Sequence, residues 1–153
     1  MGVRCTNNLP PPPADLASRR LPLKEVGGTL FRIHHSARRC LYFGKDGSGR
    51  FDDPLREYGV LYATFEPEGA FGEVFLRELP MMLVAESDLQ ARSLSEIVCR
   101  AVQIVDLTGQ GLRRLPCDNR ISTEKPYLTT GRWSRALFDH PQRPDGITDG
   151  SAG

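Results

Sequence analysis

The sequence predicts an α+β domain. Stretches with strand-type alternation and stretches with helix-type spacing are interspersed along 153 residues, without a strict strand–helix–strand rhythm. The length suits one hydrophobic core and is short for two. Hydrophobic residues make up 39% and charged residues 25%, ordinary values for a globular chain, which excludes wholesale disorder.

The chain begins with a segment that ends in four prolines, Pro10 to Pro13, and reads as an extended arm. Pro13-Ala-Asp-Leu-Ala-Ser then suits one helical turn. Gly27-Gly28 is expected to break the chain, so residues 1–27 are read as an arm and entry segment and 28–153 as the domain proper. Residues 29–34 read as a strand, with Leu30 and Arg32 on one face and Phe31 and Ile33 on the other.

Residues 36–58 are rich in Gly, Asp, Arg and Ser, and include Gly44-Lys-Asp-Gly-Ser-Gly-Arg-Phe-Asp-Asp-Pro54. A loop this long inside a small domain points to function. Residues 59–65 read as a strand, and Pro67 opens a helix predicted to run to Leu79, where Pro80 stops it. A short strand over 81–84 follows, then apolar runs at 94–98 and 102–105, a turn at 106–109 and a short helix at 112–115. Residues 127–138 are a predicted helix that ends before His140-Pro141. Beyond it the tail carries little apolar content besides Ile147, and no internal repeat is visible.

Charge and cysteine usage narrow the function classes. The net charge is +1, which excludes a surface dominated by attraction to nucleic acid or an acidic membrane. No apolar run reaches the length of about 20 residues that a membrane helix needs. Seventeen of the 20 basic residues are Arg, so only particular arginines, not their total, carry a functional argument. Four cysteines (5, 40, 99 and 117) and three histidines (34, 35 and 140) show no zinc spacing, and no metal is expected. Without a signal-type N-terminus, the chain reads as reduced and cytoplasmic, with Cys99 in the core.

Four residues stand out. Arg32 lies in an otherwise apolar strand, Arg50 ends the glycine-rich loop, Tyr62 sits mid-strand, and Glu73 lies among apolar neighbours on a predicted helix. Two guanidinium forks, an aromatic ring and a carboxylate suit a phosphorylated ligand that carries a ring and develops positive charge. An Arg32–Glu73 structural ion pair with Tyr62 in the core fits the same pattern. His34 and His35 read as structural, Arg38-Arg39 as a solvated pair, and Trp133 as core or interface.

Several blocks occur in an order that resembles the RES domain family, named for its Arg, Glu and Ser residues. They are Leu30-Phe-Arg-Ile-His, Leu41-Tyr-Phe-Gly, Gly49-Arg-Phe-Asp-Asp-Pro, Tyr58-Gly-Val-Leu-Tyr-Ala-Thr and Ala70-Phe-Gly-Glu-Val-Phe-Leu-Arg. Val105-Asp-Leu-Thr-Gly-Gln-Gly-Leu, Thr130-Gly-Arg-Trp-Ser-Arg-Ala-Leu and His140-Pro follow. The resemblance implies a fold like that of ADP-ribosyltransferase toxins. It also implies an NAD-consuming toxin, by hydrolysis or phosphorolysis, paired with an Xre-like helix-turn-helix antitoxin. Arg32 matches the first family Arg, Arg50 the Arg of the glycine-rich loop, Tyr62 the strand Tyr and Glu73 the helix Glu.

On that resemblance Arg32 and Arg50 would hold the NAD pyrophosphate, with Gly44, Gly47 and Gly49 letting backbone approach phosphate. Tyr62 would stack on nicotinamide or its ribose, and Glu73 would stabilise the oxocarbenium ion. NAD is then a substrate, and no separate cofactor is expected. Ser151 falls in register with the family Ser, but Asp149 and Ala152 replace an aromatic and an Arg, so the domain reads as incomplete at its C-terminal edge. Three classes stay open: an NAD-cleaving toxin (or a protein ADP-ribosyltransferase), an inactive relative that binds NAD or an antitoxin, and a nucleic-acid-binding module, which the charge disfavours. A homo-oligomer is left open.

Overall fold

A computed structural model describes residues 8–76 and 84–150. The architecture is α+β: a mixed three-stranded sheet and several short helices. A 3-10 turn, Leu16–Ser18, precedes strand β1, Leu23–His35. Helix α1, Pro67–Phe71, runs directly into a π-helical turn, Gly72–Leu76. Helix α2, Glu86–Gln90, leads into strand β2, Arg92–Asp106. Helices α3 (Gly109–Arg113), α4 (Arg120–Thr123) and α5 (Leu128–Phe138) follow, and strand β3, Gly146–Thr148, comes after them.

β1 and β2 form a long antiparallel ribbon, and β3 lies parallel to the C-terminal end of β2. The two apolar runs at 94–98 and 102–105 therefore belong to one strand. Gly27-Gly28 does not break the chain. The ladder runs through it with a bulge, in which Val26 pairs Val102 and Gly28 pairs Cys99. Gly28 takes φ +98°, and a Cβ on Gly27 would press to 3.3 Å on the Ala101 backbone, so the glycines permit the bulge.

Other expectations change in detail. Residues 59–65 form isolated bridges, Gly44 to Val60 and Phe31 to Thr64, instead of a strand. The helix that Pro67 opens is α-helical for one turn before it widens to π geometry, and its predicted continuation to Leu79 lies outside the described residues. Most of the short strand predicted over 81–84 also lies outside them. Cys99 is half-buried on the ribbon, because that part of β2 is covered on one side only.

The core joins both ends of the described chain. Leu9, Leu16 and Leu21 pack with Val105, Leu107 and Leu112, and with Leu115, Ile121, Trp133 and Leu137. The proline-rich segment is thus built into the core and tied to the helices. The Trp133 indole donates to the Pro10 carbonyl (2.8 Å), and the Leu9 amide donates to Glu124 Oε1 (2.7 Å). His140 Nδ1 accepts from the Gln142 amide (3.1 Å), so Nε2 carries the proton and donates to the carbonyls of Leu16 (3.0 Å) and Arg19 (3.1 Å). Burial pushes the Cys117 thiol, which packs against this core, up to about 11.

Trp133 is fully buried and joins the N-terminal segment to α5. Trp133→Ala is expected to lower stability by about 3–5 kcal/mol. Urea unfolding followed by circular dichroism measures this without the fluorescence of the single tryptophan; an unchanged midpoint would remove Trp133 from this role.

Candidate functional site

The glycine-rich loop is organised by one carboxylate. Asp52 Oδ2 accepts from the amides of Gly47 and Gly49, both at 3.1 Å. Its Oδ1 accepts from the Tyr62 hydroxyl at 2.9 Å, and that hydroxyl accepts from the Phe51 amide at 2.9 Å. The loop amides expected to approach phosphate are therefore turned onto the chain's own carboxylate, and the Gly44 amide pairs with the Val60 carbonyl. Packing also requires a glycine at 49. A Cβ there would overlap the Tyr62 hydroxyl and sit 2.6 Å from Asp52 Oδ1.

Helix α5 holds the other side of the loop. The Thr130 hydroxyl donates to the Arg50 carbonyl (2.7 Å), and the Ser134 hydroxyl donates to the Phe51 carbonyl (2.6 Å). Ser134 has one hydroxyl hydrogen, so Tyr58 must donate in the 2.8 Å contact between their oxygens. Gly131 lets Pro54 lie close; a Cβ there would meet its ring at 3.1 Å. Asp53 is buried and accepts from the amides of Leu55 (3.1 Å) and Glu57 (2.8 Å) and from Arg135 (3.1 Å). Burial opposes ionisation of Asp53, but the Glu57 and Leu55 amides with Arg135 outweigh it and hold the carboxyl below its ordinary value.

Arg50 is buried, at 7% exposure. It donates to the Glu124 carbonyl (2.8 Å), and its guanidinium stacks 4.7 Å over the Tyr127 ring. Arg32 donates to the carbonyls of Cys40 and Tyr42, both at 2.8 Å, and thereby pins the loop after β1. Burial lowers its affinity for the proton, and Cys40 acts in the opposite sense. His34 shares the Arg32 face of β1. Its Nδ1–H donates to the His35 carbonyl (3.0 Å), which leaves Nε2 to accept from Ser95 (2.8 Å).

Tyr62 keeps 40% of its surface exposed although its hydroxyl is held. Glu73 is half-buried in the π-helical turn that follows α1, and α1 packs on β1. The Phe31–Thr64 bridge, two residues beyond Tyr62, ties the Tyr62 segment to β1 beside Arg32. Ser151 lies outside the described residues. Arg50 and Tyr62 thus meet around the loop, whereas Arg32 reaches the carbonyls of residues 40 and 42.

Beside the loop opens a cleft of about 920 Å³. Gly49 and Asp52 of the loop line it together with Tyr127 and Leu128. Its size falls in the range of small-molecule and cofactor sites. Among the described residues no group of three or more His, Cys, Asp or Glu is placed to hold a metal ion, and no helix is long and apolar enough to cross a membrane.

The family model of the RES domain matches residues 29–152. The chain belongs to the RES domain family. No curated protein and no solved structure matches it. In this RES domain the separated Gly49-Arg-Phe and Leu61-Tyr blocks are one hydrogen-bonded unit, joined through Tyr62 and the residue 51 amide. Reading the sequence missed Asp52, Tyr127 and the clasp from α5. The Asp-Asp-Pro run after the glycines marked Asp52 as a loop residue, but its bonds to amides three and five positions earlier depend on the folded loop.

Two outcomes are expected. Gly49→Ala would force Tyr62 off Asp52, raising the protease sensitivity of residues 44–56 while circular dichroism stays near wild type; unchanged cleavage would contradict the packing. Asp53 has a depressed folded value, so its contribution is present at neutral pH. It is lost as the pH falls from the ordinary carboxylate value, about 4, through the lower folded one. Asp53→Asn should be less stable at pH 7 and show a shallower loss of stability in acid. A parallel acid profile would show that Asp53 does not carry it.

Proposed function

We propose that this RES domain consumes NAD by breaking the bond between nicotinamide and ribose, as the toxin of a pair whose antitoxin is an Xre-like helix-turn-helix protein. The observation that carries the reading is that Gly49 and Asp52 of the glycine-rich loop line one cleft of cofactor-compatible size together with residues 125–128, while Asp52 holds the Tyr62 hydroxyl. Family membership supports it, since the RES domain match over residues 29–152 spans those blocks.

The reaction asks little of acid catalysis. Nicotinamide in NAD is already cationic, so it leaves as a neutral ring once the C–N bond breaks, and positive charge builds on the ribose. A preorganised carboxylate answers that charge, and Glu73 has this role in the proposal. Tyr62, with its hydroxyl fixed between Asp52 and the Phe51 amide, presents a ring whose position is set before ligand arrives. Water, phosphate or a protein nucleophile could accept the ADP-ribosyl group.

Purified protein incubated with NAD is expected to release free nicotinamide, resolved by liquid chromatography. Glu73→Ala should cut the rate by about a hundredfold or more with the fold intact. A folded wild type that binds NAD without turnover would make the protein a binding relative, and one that releases no nicotinamide overturns the enzymatic reading.

A further inference from the structure

Three cations line the cleft. Arg56, Lys125 and Arg132 all line it, and among the described residues none of the three makes an ion pair. The two carboxylates that also line it have their hydrogen-bond acceptors taken up within the chain. Asp52 is saturated by the Gly47 and Gly49 amides and the Tyr62 hydroxyl, and Asp53 by the Leu55 and Glu57 amides and Arg135. Asp53 pairs its charge with Arg135, so the lining keeps an excess of positive charge, three cations against two carboxylates.

Arg56 adds an independent sign. Its backbone sits at φ +56°, the left-handed region that favours glycine, and a non-glycine side chain is held there against that preference. The guanidinium lies over the glycine loop, with Nη2 3.8 Å from where a Cβ on Gly47 would stand. By contrast, Arg50 turns to the Glu124 carbonyl and the Tyr127 ring, Arg32 turns to the carbonyls of Cys40 and Tyr42, and neither lines the cleft.

We propose that Arg56, Lys125 and Arg132 form the anion-binding wall of the cleft and hold the diphosphate of the dinucleotide, with Arg50 and Arg32 acting as positioning residues for the loops. The identity of the ligand rests on the NAD reading, while the choice of residues rests on the cleft alone. The diphosphate carries two negative charges, and two forks and an ammonium lining the cleft can meet them without help from the Gly47 and Gly49 amides. The ring of Tyr127, on which Arg50 stacks, lines the cleft beside them.

The test uses ADP as the probe, which carries the diphosphate but cannot react. Calorimetry is run on the wild type and on the R56G/K125A/R132A variant at two salt concentrations. Arg56→Gly removes the guanidinium and relieves the backbone, so this substitution alone should unfold at an equal or higher temperature while binding ADP more weakly. ADP is expected to bind the wild type, more weakly at high salt, and the triple variant about tenfold or more weakly still. Equal affinity in wild type and variant, or no binding of millimolar ADP to the wild type, overturns the proposal even if nicotinamide is released. ADP binding that depends on these residues in a protein that never releases nicotinamide would keep the wall and discard the enzymatic reading.

Discussion

The grip of helix α5 on the glycine-rich loop is the constraint on which the rest of the site depends. Thr130 and Ser134, one helical turn apart, donate to the consecutive carbonyls of Arg50 and Phe51. Each bond contributes about 1 kcal/mol net, but losing either would strand a buried carbonyl at a cost of about 1–3 kcal/mol. Gly131 lies between them and admits Pro54 to the helix surface. The helix is in turn held from behind, by Trp133 on Pro10 and by the packing of Leu137 in the core. A chain of contacts therefore runs from the proline-rich segment through α5 to the loop and then to Asp52 and Tyr62.

Asp52 gives the loop its electrical character. A run of glycine amides beside a cleft ordinarily offers a nest for an external anion. Here an internal carboxylate fills it, which fixes the loop and orients Tyr62 in one step. Filling the nest leaves the side chains that line the cleft, Arg56, Lys125 and Arg132, to meet an external anion in this proposal. The near-neutral net charge agrees with this division, because the positive field is local to a few residues and is not a property of the surface.

The fold class was legible because apolar periodicity survives in β1, β2 and α5, and Pro67 and Pro141 bracket helices by their missing amides. The family blocks were legible as strings. What escaped was anything set by long-range geometry. Gly27-Gly28 looks like a terminator, yet the ladder absorbs it as a bulge because β2 supplies an extra residue opposite. Residues 59–65 alternate like a strand, yet their backbone pairs with other segments only through the bridges at Val60 and Thr64. Arg50 reads as a phosphate ligand by type, while the fold buries it against Tyr127 and the Glu124 carbonyl, a position that no local pattern encodes. Arg56 carries no motif at all; its left-handed backbone and its place over Gly47 exist only once the loop has closed.

The central claim is that the functional site of this RES domain is the cleft walled by the glycine-rich loop and residues 125–132, with its polar geometry set before ligand binds. A crystal structure of the protein with ADP-ribose tests it most directly. The account predicts the diphosphate within hydrogen-bond reach of Arg56, Lys125 or Arg132, the ribose end near Tyr62, and the bonds from Asp52 to Gly47, Gly49 and Tyr62 unchanged. Ligand bound outside this cleft, or Asp52 displaced by phosphate from the loop amides, would contradict it.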